Sequence, residues 1–301
     1  MSKIKIKGVV PALVSPLNDD GSIREDPLRK LIKWQISHGI NGLYVCGTTG
    51  EGILMQPRYR KELLEIVLDE AGGRIPVIAH IGALDMTVAA DLAKHAEKAG
   101  ASVVSSIPPI YFSYSEDEIY EYYSTLAAAS NLPMLMYGIP LAGNNLSLHL
   151  VERLMQIENM VGIKWTYMDY FTLQRIKTIN NGDINVVNGP DECLLCGLAM
   201  GADAGIGSTY NIMPGLFVSL YRHFTNGEID KAREMQYAIN TVIAALFRHG
   251  IFPSIKVVLE SLGFDVGNCS LPMKRLSKEE RETLLNEIQQ VDLVNQRRIP
   301  T

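Results

Sequence analysis

The chain has 301 residues, 47% of them hydrophobic and 20% charged, with a net charge of −5. That length and composition suit one large α/β domain or two small ones, and the acidic balance argues against a nucleic-acid or anionic-membrane partner. Four cysteines make no disulfide scaffold in a chain this long, the start MSKIKIKGVV lacks an apolar leader core, and no apolar stretch could span a bilayer, so a cytoplasmic protein is expected.

Short β-branched runs alternate with amphipathic ones along the chain. Residues 9–14, 43–45, 77–80, 103–107, 134–137, 161–164, 185–187 and 204–206 read as strands. Several are nearly continuous apolar runs, as parallel strands covered on both faces should be. Between the second and third, Tyr59, Leu63, Ile66 and Val67 share one helical face. Ser115 with Glu118 reads as a capping box opening a helix to about Ala129. The stretches HGINGLYV, KAGASVVS and MGADAGIG each place a glycine after a helix and before a strand, where a left-handed residue ends the helix. Eight strand–helix units over roughly 220 residues predict an α/β fold, the (β/α)8 TIM barrel. A doubly wound sheet fits the same alternation, but no GxGxxG follows the first strand. Beyond Pro214 the pattern is helical, with a second capping box at Ser277 and Glu280. Residues 1–225 are therefore expected to form the barrel and 226–301 a helical extension packed on it.

A barrel gathers its chemistry at the carboxyl ends of its strands, and the polar residues of this chain collect there. Lys164 ends an apolar run. An ammonium taken out of water loses its preference for the charged form, and the neutral amine condenses with a ketone to give an electron-accepting iminium. A lysine that snorkels to solvent or pairs with a carboxylate would occupy the same position. Tyr137 ends the preceding strand, about 4.8 Å away, so its phenol could shuttle a proton for a substrate held on Lys164. A tyrosine packed at the rim is the plainer alternative. The turn at residues 47–52 offers amide groups and two hydroxyls to a carboxylate but lacks the spacing and lysine of a P-loop; an ordinary glycine-rich turn would look alike. Cys193 and Cys196 have redox or zinc spacing, yet in a helical run without a second pair they read as two small buried hydrophobes. The six histidines show neither HExxH nor clustered spacing, so no metal site is expected, and no G-x-S-x-G nucleophile elbow is present.

Taken together, GTTGE (residues 47–51), YGIP (137–140) and GIKWT (162–166), in that order, resemble the pyruvate-dependent class I aldolase family that includes N-acetylneuraminate lyase and 4-hydroxy-tetrahydrodipicolinate synthase. The resemblance covers essentially the whole chain. It implies that Lys164 forms a Schiff base with a 2-keto acid and that Tyr137 transfers a proton. It also implies that Thr48, Thr49 and Gly50 hold the substrate carboxylate, with Thr48 in a hydroxyl relay to Tyr137. Tyr111, in PPIYF, matches the tyrosine that enters a neighbouring subunit's site, which implies a homotetramer of two tight dimers. No cofactor is implied.

NGPDE resembles the lyase segment in which glycine, aspartate and glutamate, here Gly189, Asp191 and Glu192, hold sugar hydroxyls. GIGSTYN carries the matching Ser208, and Thr166 is expected at the substrate as well. Carboxylates and hydroxyls suit a polyol, though Asp191 and Glu192 would equally cap the helix that follows. The synthase is expected to carry an arginine shortly after its YNVP motif, but here none follows YGIP before Arg153, so bidentate capture of a second carboxylate is lost. Gly138 replaces a family asparagine, the loop after Pro140 is one residue short, and Trp165 and Tyr167 follow the lysine where smaller or polar groups are usual. The expected reaction is reversible cleavage of N-acetylneuraminate, a sialic acid, to pyruvate and N-acetylmannosamine. A 2-keto-3-deoxy sugar acid aldolase or the synthase is the alternative within the family, and a non-catalytic keto-acid-binding barrel the alternative outside it.

Overall fold

Eight short strands alternate with helices in the computed structural model, which describes residues 4–289. The order is β1 (Gly8–Pro11), α1 (Glu25–Ser37), β2 (Leu43–Val45), α2 (Pro57–Ala71), β3 (Val77–His80), α3 (Met86–Ala99), β4 (Val103–Ser106) and α4 (Glu116–Ala128). There follow β5 (Met134–Gly138), α5 (Leu148–Leu154), β6 (Met160–Trp165), α6 (Tyr170–Lys177), β7 (Asn185–Asn188), α7 (Leu194–Ala199), β8 (Ala204–Gly207) and α8 (Pro214–Thr225). Helices α9 (Ile229–His249), α10 (Ile251–Ser261) and α11 (Lys278–Gln289) complete the described chain. Among the described residues no single helix is long and apolar enough to cross a membrane.

All the strands are parallel, and each neighbours the next in chain order, with β1 beside β8. A bridge between Ala12 and Tyr44 joins β1 to β2, supported by Leu13 N–H donating to the Tyr44 carbonyl at 2.8 Å, and this closes the barrel. Alternation of side chains builds two cores. Val10, Tyr44, Ile78, Val103, Leu135, Tyr137, Val187 and Ile206 fill the barrel interior, while Val9, Val45, Val104, Met136, Ile163 and Val186 face the helices.

The local signals explain the element ends. Gly39, Gly100 and Gly201 all adopt positive φ, from 82° to 98°, as the repeated glycines predict. Both capping boxes form: Ser115 accepts from the Glu118 amide at 3.3 Å and Ser277 from the Glu280 amide at 3.2 Å, and each glutamate reaches back. The α2 face differs from its apolar reading. Tyr59 is half-buried, while Arg60 is buried and donates to the His80 and Gly82 carbonyls at 2.6 and 2.9 Å. Gly162 lets β6 approach β7, since a Cβ there would fall 1.9 Å from the Asn185 carbonyl oxygen.

Candidate active site

Parallel register sets Tyr137 directly opposite Lys164 across β5 and β6. Lys164 is 5% exposed, so it does not snorkel, and no carboxylate pairs with it among the described residues. Its Nζ instead lies 4.0 Å from the ring centre of Tyr137 and 5.0 Å from that of Tyr44. Both rings present their π faces to the nitrogen. The buried Tyr137 hydroxyl is 3.4 Å from Thr48 Oγ1. Below it, Tyr44 donates to Ser105 Oγ at 3.1 Å, and burial pushes its phenol well above the usual range. His80 stands edge-on to Tyr137. Burial, reinforced by the charges of Arg60 and Lys164, holds its imidazole well below the usual range. Its Nε2 accepts from the Ile107 amide, so the proton on Nδ1 donates to the Cys46 carbonyl at 3.1 Å.

The turn after β2 is bracketed by two non-glycine residues in left-handed conformation, Cys46 (φ 59°) and Glu51 (φ 57°). The Glu51 amide donates to the Thr48 carbonyl and the Gly52 amide to that of Gly47, each at 3.1 Å. The amides of Thr48, Thr49 and Gly50 donate to no protein acceptor among the described residues. Thr49 Oγ1 meets Ser208 Oγ at 2.7 Å, joining this turn to the exit of β8. Three adjacent free amides and two hydroxyls form a cradle for an anion.

On the β7–β8 side, Asp191 is buried and accepts from the Thr209 amide and hydroxyl at 2.6 and 2.7 Å. Its carboxylate therefore turns towards the β8 exit and makes no cap for α7. Burial raises its pKa from 3.8 to about 6. Glu192 is half-buried beside it. Thr166 Oγ1 is buried without a partner, and a Cβ at Gly189 would lie 2.0 Å from it. Gly189 is thus the residue that leaves room for that hydroxyl. A cavity of about 270 Å³ opens beside Thr48 and His80, with Ile107, Ile110, Ile139 and Phe252 among its walls.

The β2, β5, β6, β7 and β8 candidates thus converge on one face. Tyr111 stands apart: it is 85% exposed, with φ 82°, and its ring packs edge-on against Phe112. The departures at Gly138 and Tyr167 are coupled. A Cβ at position 138 would press on the Tyr167 ring at 3.1 Å, and that ring packs tilted against Trp165 with its hydroxyl donating to Asn145. Cys193 and Cys196 are not the buried pair their helical setting suggested, since Cys196 is exposed and Cys193 half-buried. Sequence reasoning also missed Tyr44, His80 and Lys256, which a chain order of motifs cannot bring together. The buried Lys256 of α10 pairs with the buried Glu51 at 2.6 Å.

Comparison with known proteins agrees with the barrel fold. The chain is 37% identical to N-acetylneuraminate lyase 2 of Escherichia coli over 283 residues, covering 93% of this chain and 92% of the relative. It is 36% identical to the N-acetylneuraminate lyase of Rhizobium meliloti over 281 residues, covering 93% and 94%. Among solved structures, the wild-type sialic acid aldolase of Ruminococcus gnavus superposes with a TM-score of 0.93 at 32% identity, covering 98% of this chain and all of that one. The dihydrodipicolinate synthetase family matches residues 5–291. The chain belongs to the dihydrodipicolinate synthetase family.

Proposed function

We propose that the chain is a Schiff-base-forming lyase that cleaves N-acetylneuraminate reversibly to pyruvate and N-acetylmannosamine. The observation that carries this reading is a buried lysine without a carboxylate partner, in register with a tyrosine whose hydroxyl faces a threonine turn. Lys164 Nζ attacks the C2 ketone, and loss of water leaves an iminium. Having given its own proton to the hydroxide that departs as water, Tyr137 takes the proton from the C4 hydroxyl as the C3–C4 bond breaks, and the electron pair flows into the iminium to give an enamine. Protonation at C3 and hydrolysis release pyruvate and restore the amine. Thr48, Thr49 and Gly50 hold the carboxylate, and Thr48 relays the proton of Tyr137. Gly189, Asp191, Glu192, Ser208 and Thr166 face the polyol. In this reading Tyr111 completes a neighbouring subunit's site in a cytoplasmic homotetramer serving carbohydrate metabolism.

Borohydride added with pyruvate traps a reduced adduct on Lys164, read by peptide mass; an unmodified Lys164 peptide removes the mechanism. The family match also favours a second reading, another pyruvate-dependent aldolase or the synthase. Arg153, the first arginine after YGIP, is spent on Asp117 at 2.7 Å and on the Tyr120 ring, which speaks against dicarboxylate capture. Parallel assays with N-acetylneuraminate, 2-keto-3-deoxygluconate, and pyruvate plus aspartate semialdehyde separate the readings.

A further inference from the structure

We infer that the buried Glu51–Lys256 pair is a positioning device that holds the carboxylate cradle in its binding shape from the C-terminal helices. The inference rests on the aldolase reading of the site. Lys256 Nζ lies 2.6 Å from Glu51 Oε1 and donates to the carbonyls of Ser15 at 3.2 Å and Asn268 at 2.8 Å. The other carboxylate oxygen accepts from the Ser270 amide at 2.6 Å. Ser15 in turn donates its hydroxyl to the Gly50 carbonyl at 2.7 Å. One ammonium thus ties together the loop after β1, the turn after β2 and the segment following α10.

The need for such a tie lies in the turn itself. Glu51 holds a left-handed backbone that a non-glycine residue adopts only when its surroundings impose it. The Gly50 peptide, whose carbonyl is fixed by Ser15, belongs to the same turn as the three free amides. A relaxed turn would no longer hold those three amides in their present arrangement. Glycine cannot be replaced on either side without a clash: a Cβ at Gly50 would sit 2.8 Å from the Leu13 carbonyl oxygen and one at Gly52 1.8 Å from that of Cys46. A buried ion pair adds little net stability over an apolar pair of the same volume, so its presence here calls for another role, and geometry supplies one. Lys256 also neutralises a carboxylate lying in the same turn that must receive the substrate's own negative charge.

The test compares the wild type with Glu51→Gln, Lys256→Met and the double variant. The readouts are the pyruvate concentration that half-saturates borohydride trapping on Lys164, KM and kcat for N-acetylneuraminate cleavage, and the thermal midpoint. Either single change raises the half-saturating pyruvate concentration roughly tenfold to a hundredfold, because small misplacements of a positioning group cost that much. KM rises with it while kcat changes far less, the pattern of lost uniform binding. The double variant, with no charge left unpaired, regains thermal stability but keeps the weakened pyruvate trapping, and it serves as the test should a single variant fail to fold. A folded double variant that traps pyruvate at the wild-type concentration overturns the inference. A wild type that is never trapped overturns the aldolase reading instead.

Discussion

Two lysines of one barrel have opposite surroundings. Lys177, at the end of α6, donates to both carboxylate oxygens of Asp203 at 2.8 and 2.7 Å and to the Ile184 carbonyl at 3.0 Å. Asp203 also accepts from the Val186 amide and from Asn185, whose side chain closes two further bonds onto the Ile6 backbone. These residues lie at the amino ends of β7 and β8, and their polar groups are used up. At the carboxyl ends, Lys164 has aromatic faces but no carboxylate partner among the described residues, Thr166 Oγ1 has no partner, and three amides of the β2 turn point at nothing in the protein. An unmade buried hydrogen bond costs about 1–3 kcal/mol, so a fold tolerates several together only where a ligand completes them. Saturation marks the face that stabilises; deficit marks the face that binds.

The sharpest way to break this contrast is to remove each amine. Lys164→Ala should lower turnover at least roughly a thousandfold, since the covalent step has no substitute, while leaving urea stability equal or higher. Lys177→Ala should do the reverse, keeping turnover within about twofold and losing about 1–3 kcal/mol as Asp203 is left without its cation. Comparable stability losses in both variants would erase the distinction. Tyr137→Phe comes next, with turnover down roughly a hundredfold to ten-thousandfold for loss of a proton shuttle. Pyruvate should still be trapped on Lys164 in that variant, because carbonyl capture and proton transfer use different groups.

Asp191 gives a pH test of intermediate size. Its folded pKa of about 6 lies above the unfolded value of 3.8. Between those values the folded state binds the extra proton, so this stabilising contribution is complete below pH 3.8 and is lost as pH rises through 6. The wild type should therefore lose on the order of 2–3 kcal/mol over that window relative to Asp191→Asn. Parallel stability–pH curves for the two proteins would show that burial of this carboxylate is not what sets its titration.

Most of the barrel is legible from local chemistry. Strand positions follow from apolar runs, Gly39, Gly100 and Gly201 mark helix ends by their positive φ, and both capping boxes announce their helices. The pairing of Tyr137 with Lys164 follows from strand adjacency alone. What escapes a linear reading is contact between distant segments. Glu51 and Ser270 meet across 219 positions, and nothing near either residue signals the other. The carboxylate of Asp191 is a similar case, since its local sequence suggests a helix cap while its partner is Thr209, brought in by the β8 exit. Cys193 and Cys196 show the converse limit, because helical context does not say which face is covered.

The smallest effect is expected at Gly138, where it sharpens the division between the chemical and the selective parts of the binding face. A side chain there meets the Tyr167 ring at 3.1 Å and Trp165 at 3.5 Å, so Gly138→Asn should displace Tyr167 from its bond to Asn145. The ring is only half-buried and can swing outward, which keeps the stability loss to about 1 kcal/mol or less. No hydrogen bond or ring contact joins the side chain of Lys164 or Thr48 to Tyr167, so pyruvate trapping should stay near the wild-type level. If the cluster shapes the aldehyde end of the site, KM for the sugar acid shifts a few-fold, and Gly138→Asn combined with Tyr167→Ser returns it towards the wild type because the collision is relieved. An unchanged KM in both variants would place the cluster outside the selective region and leave that task to Asp191, Glu192 and Ser208.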